Sequence, residues 1–166
     1  MKKIDSFGLK MCSYQATLFE ASVKHTKSSS AIFIRRFMNS DLAKRMDNIS
    51  FLFDSLEVSS AIDEVEAQYG ASSYGSKKYS IEEMHWIGYI YRYWACISDK
   101  SSKQIYKMLK PDQLKKLFFP YHSLDPAQAI ERIMEELEPA KEYDPSDIAT
   151  GVAAMRKIRS KWNNRL

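Results

Sequence analysis

The sequence predicts an all-α fold, a compact bundle of seven to eight helices followed by a C-terminal amphipathic helix. Only five Gly and five Pro occur in 166 residues, few for a protein built from many tight turns. Apolar residues recur at three- and four-residue intervals along most of the chain, which is the helical period. Ser-x-x-Glu/Gln and Asp-Pro pairs stand where those periodic stretches begin. With 45% apolar and 28% charged residues the composition is globular. The length suits one helical core domain, placed at 1–138, with a hinge and a basic amphipathic helix at 139–166.

Residues 11–26 set Met11, Tyr14, Leu18 and Val23 near helical spacing, with Glu20 and Lys24 as an i,i+4 pair on the outer side. Ser28, Ser29 and Ser30 offer N-cap hydroxyls to a second helix at 31–38, apolar on nearly every side except at Arg35 and Arg36 and therefore expected to be buried. A short third helix fits 42–46. Residues 57–69 read as an acidic helix, with Val58, Ile62, Val65 and Tyr69 facing inward and Asp63, Glu64 and Glu66 outward. The Ser- and Gly-rich stretch 70–78 is a loop.

Ser80 and Glu83 form a capping-box pattern opening a helix at 81–98, apolar or aromatic around most of its circumference and expected to be central. Ser101 and Gln104 repeat the pattern for a helix ending near Leu109. Pro111 suits the first turn of a helix at 111–119 that Pro120 should stop, leaving 121–124 as a loop. Asp125-Pro126 opens a helix at 126–138. Beyond a polar stretch between Pro139 and Pro145, Ile148, Val152, Met155, Ile158 and Trp162 keep heptad-like spacing, with Arg156, Lys157, Arg159 and Lys161 between them. Residues 139–166 hold six Lys or Arg against three acids, +3 of the whole chain's +4, which places the basic excess at the tail.

Cofactor chemistry finds no foothold in these motifs. Cys12 and Cys96 lack the paired spacing of a zinc site, and His25, His85 and His122 are scattered. The cysteines read as buried small hydrophobes in a reducing compartment. Gly70 and Gly75 lack the Gly-Lys-Ser/Thr ending of a phosphate loop. No secretory leader is visible, and no run approaches the roughly 18 apolar residues of a membrane span, so a cytoplasmic location and no membrane association are expected.

Four groups carry more information. Arg35 and Arg36 must reach water, pair with an acid or contact an anionic ligand; an ion pair with Asp41, Asp47 or a remote acid is the favoured reading. In the run 86–94 most rings read as core packing, while Tyr89 and Arg92, three apart on the less apolar side, are partner-binding candidates. Gly88, costly in mid-helix, implies a close helix crossing. Glu82, Glu83 and His85 could perform acid–base work, but first-turn glutamates serve the helix dipole. The aromatics of 118–122 read as a plug over the core in preference to an exposed recognition corner.

The blocks Ser29–Asp41, Glu83–Trp94 and Phe119–Asp125 resemble stretches of small uncharacterised helical proteins of Gram-positive bacteria, a resemblance spanning about residues 12–138. Such proteins are often encoded beside a toxin, and the resemblance implies an antitoxin-like component that holds the toxin inactive and represses its own operon. It transfers no residue role.

Three functional readings follow. The first is a non-catalytic antitoxin-like protein that neutralises a companion toxin, contacting it through Tyr89, Arg92, Ile148, Val152, Met155 and Trp162. The second is a DNA- or RNA-binding regulator using Arg35, Arg36, Arg156, Lys157, Arg159 and Lys161. The third, with least support, is an enzyme with a site around His85, Arg92 and His122. Self-association is compatible with each.

Overall fold

A computed structural model describes residues 2–48 and 56–137, and its regular elements there are all helices. In chain order they are α1 (Ser6–His25), α2 (Ser30–Met38), α3 (Asp41–Met46), α4 (Val58–Tyr69), α5 (Ile81–Ile97), α6 (Ser102–Met108), α7 (Pro111–Lys116), α8 (Phe118–Tyr121) and α9 (Pro126–Leu137). The chain divides into two units between Met134 and Glu135, inside α9.

Local chemistry sets most of the helix starts. The side chains of Ser29, Ser40, Ser80 and Ser101 each accept a backbone N–H of the first turn they precede, and both expected capping boxes close at Ser80/Glu83 and Ser101/Gln104. α1 begins five residues earlier than the apolar periodicity suggested, because Asp5 caps it by accepting Gly8 N–H at 2.7 Å.

The core is built on α1 and α5, which run antiparallel: Lys2 N–H donates to Ile97 O at one end, Gln15 Nε2 to Gly88 O in the middle, and Glu20 meets His85 at the other. Gly88 makes the crossing possible. A Cβ there would lie 2.8 Å from the Gln15 carbonyl oxygen and 3.0 Å from Ala16 Cα, both backbone atoms that cannot swing away. Around this axis Phe19 meets Phe33 and Phe37 edge-on at 5.7 and 5.0 Å, the favoured aromatic geometry. α4 adds Ala61, Ile62 and Val65, and α9 adds Ala129, Ile130 and Ile133. The 70–79 loop is strapped to the start of α2, with Ser29 N–H donating to Tyr74 O, Ser30 N–H to Lys77 O and Tyr79 N–H to Ser30 Oγ.

Three expectations need correction. α2 is amphipathic and not buried on all sides: Phe33, Ile34, Phe37 and Met38 face inward, whereas Arg35 is exposed and Ile32 half-buried. Tyr69 turns outward from α4, and the Arg36 guanidinium lies 5.7 Å over its ring. Pro120 does not end a helix. It sits in the first turn of α8, where backbone N–H groups have no intrahelical acceptor and none is lost.

Candidate interaction surface

Arg92, assigned with Tyr89 to the less apolar side of α5 as a partner-binding candidate, is buried, at 1% exposure. It lies on the face turned toward α1 and α6, where a buried guanidinium needs a partner at each of its nitrogens. Nε donates to Gln15 Oε1 at 2.8 Å, one terminal nitrogen to Asp47 Oδ1 at 2.8 Å and the other to Ser102 Oγ at 3.0 Å. Asp47 also accepts Ser102 N–H and Oγ–H, and Gln15 passes its own amide proton to Gly88 O. One guanidinium thereby ties α1, the end of α3, α5 and the start of α6. Tyr89 is half-buried and makes none of these contacts, so Tyr89 and Arg92 do not form one partner-binding pair.

An open cleft of about 700 Å³ lies over this network, with Lys3, Asp5, Met46, Ser101 and Cys96 among its walls. Cys12 and Cys96, 84 residues apart, are brought side by side by the antiparallel pairing of α1 and α5; both are free thiols. Their mutual hydrogen bond and burial push the Cys12 thiol far up, while the same bond, with help from Arg92, lowers Cys96 against the effect of its own burial. Cys96 is therefore the more acidic partner.

Further round α5 an aromatic strip reaches the surface. Trp86 meets Phe118 edge-on at 5.7 Å; Phe118 in turn contacts Phe119 at 5.7 Å and stacks on His122 at 4.7 Å. Tyr89 stacks on Tyr93 at 6.1 Å along the same helix, and both phenols are raised by burial and by the nearby Asp125 carboxylate. Phe119 is 79% exposed and no residue of α8 is buried. The expected plug is therefore only partial: Tyr121 packs against the core while Phe119 stands out as an exposed corner. The sequence signal was the Phe-Phe-Pro run itself: Phe118 anchors on Trp86, and two consecutive helical residues point in directions too different for Phe119 to follow it.

The remaining anticipated groups are dispersed. Arg36 pairs with a remote acid, Glu66, at 3.2 Å and donates to Gly70 O at 2.9 Å. His85 holds Glu20 at 3.0 Å, Arg92 is buried about two turns further along α5, and His122 stacks on Phe118, so the three do not converge on one site. No group of three metal-ligating side chains occurs among the described residues, nor is any described helix long and apolar enough to cross a membrane. Ile148, Val152, Met155, Arg156, Lys157, Arg159, Lys161 and Trp162 lie outside the described residues. No family model, curated protein or solved structure matches the chain.

Proposed function

We propose that the protein acts by binding a companion protein, in the manner of an antitoxin that holds a toxin inactive, and that the aromatic strip of α5 and α8 is a docking surface. The observation that carries this reading is the exposure of Phe119 within a run of aromatics made of Trp86, Tyr89, Tyr93 and Phe118. Aromatic residues are enriched at interfaces and dominate binding hot spots. A chain folding only for itself gains little by exposing such a ring. Three sequence blocks resemble small uncharacterised helical proteins that are often encoded beside a toxin, which makes the product of the adjacent gene the partner to test.

Co-expression with that product and affinity capture of the complex supply the test. The variant Phe119→Ser is expected to weaken capture about ten-fold, the scale of one hot-spot residue, and to abolish rescue from toxicity. Its thermal midpoint should stay close to that of the parent chain. Unchanged capture and rescue by the folded variant would sink the reading.

A further inference from the structure

Positive charge in this protein is concentrated in its core domain as well as at its tail. Residues 100–116 hold six lysines against one aspartate, a net of +5, larger than the +4 of the whole chain. The fold keeps this charge outside. Lys103 and Lys107, one helical turn apart on α6, are exposed, as are Lys110 and Lys116 around α7, while Pro111, Leu114 and Ile105 take the inward positions. The only acid of the segment, Asp112, accepts the phenol of Tyr79.

Neighbouring elements extend the face. α3 brings Lys44 into a groove with Lys103, Asn39 and Ser101, and Arg35 of α2, which packs on α6 and α7, is exposed. Asp41 and Asp47 also line that groove, but Asp47 is committed to Arg92 and Ser102. Lys110 Nζ sits 4.0 Å above the Tyr106 ring. The other basic residues nearby are neutralised: Arg36 by Glu66, Arg45 by Glu64 and Lys115 by Glu83. Arg35, Lys44, Lys103, Lys107, Lys110 and Lys116 have no ion-pair partner among the described residues.

We infer that this face, formed by α6, α7 and the adjoining ends of α2 and α3, binds the phosphate backbone of a nucleic acid without reading its bases. Two features favour that ligand over a protein or a membrane. A protein interface needs apolar anchors at its centre, and a membrane-surface helix needs apolar side chains to insert. Among the described residues of this face the exposed large apolar side chain is Met108, at 38%, and Lys110 Nζ lies over the half-buried Tyr106 ring. Lysines are compact point charges that suit repeated phosphates and carry little geometric selectivity. The face uses no residue of the aromatic strip, so either proposal can fail alone.

The test is fluorescence anisotropy of the full-length chain with labelled DNA duplex and single-stranded RNA, each about 20 nucleotides long, over a range of salt. Binding to either should weaken as salt rises, because neutralised phosphates release counterions. Lys103→Glu, Lys107→Glu, Lys110→Glu should reduce affinity by about ten-fold or more and lower the log–log salt slope by about 1 for each contact removed. The control Lys10→Glu, Lys24→Glu, Lys27→Glu removes equal charge elsewhere on the surface and should retain most of the affinity; circular dichroism checks that both variants fold. The proposal is overturned by any of three results: no salt-dependent binding, equal loss in the control, or loss confined to the tail variant Arg156→Glu, Lys157→Glu. Binding to phosphatidylserine vesicles with none to either nucleic acid would also overturn it.

Discussion

At the scale of single residues, Arg92 decides most. Its guanidinium is 1% exposed and Asp47, its ion-pair partner, has a side chain 16% exposed, so the pair lies in a region where water screens little. Removing the cation would leave Asp47, Gln15 and Ser102 each short of a partner. Arg92→Met is expected to lower unfolding free energy by about 3–5 kcal/mol, the usual cost of breaking a buried pair from one side. Urea titration measures this directly. Arg92→Lys should recover only part of the loss, because an ammonium cannot reach three acceptors set in the plane of a fork.

At the scale of elements, the start of α5 joins local capping to tertiary charge. Ser80 N–H donates to Glu83 Oε2 at 2.9 Å, and Glu83 also takes Lys115 Nζ of α7 at 2.8 Å. Burial by itself would raise the Glu83 carboxyl, but the Lys115 bond, the Ser80 backbone N–H and the charges of Lys115 and Lys77 outweigh it and hold it below its ordinary 4.5. A carboxylate lowered on folding contributes stability that is complete above its unfolded pKa and is lost as pH falls through the folded value. Glu83→Gln should therefore cost about 1 kcal/mol at pH 7, and the difference from the parent chain should shrink below pH 4.5. Thermal midpoints of both proteins at pH 7 and pH 3.5 check the sign; a gap that widened on acidification would contradict it.

Much at this scale is legible in the sequence. Ser80/Glu83 and Ser101/Gln104 were readable as capping boxes because both partners lie within four residues of each other. The early start of α1 and the helix across Pro120 were not, since each depends on local hydrogen bonding that apolar periodicity does not report.

At the scale of the whole described domain, stability should be graded outward from the α1–α5 axis. Leu18, Phe19, Ile87, Ile90 and Tyr91 are each 0–1% exposed on two helices locked by the Gly88 crossing. α4 has no side-chain cap at Glu57 and ends on exposed Tyr69. Native-state hydrogen exchange should find the slowest amides in the centres of α1 and α5 and opening of α4 at lower free energy, as expected for a peripheral element with fewer buried contacts. Equal protection across α1, α4 and α5 would show instead that the domain opens as a single unit.

Short-range chemistry specifies the helical class and most of the helix starts, and a glycine in mid-helix signals the close crossing at Gly88. The class and the starts follow from periods of three to four residues and from caps closed within one turn. Tertiary packing selects which partner each element meets. It placed Arg92 inside by supplying Asp47 and Gln15 from 45 and 77 residues away, and it brought Cys12 against Cys96. It also left Phe119 outside when the same run could have closed over the core, and set Lys44 of α3 beside Lys103 of α6. Such partners are distant in sequence, and no periodicity within one element can encode which of them will be met.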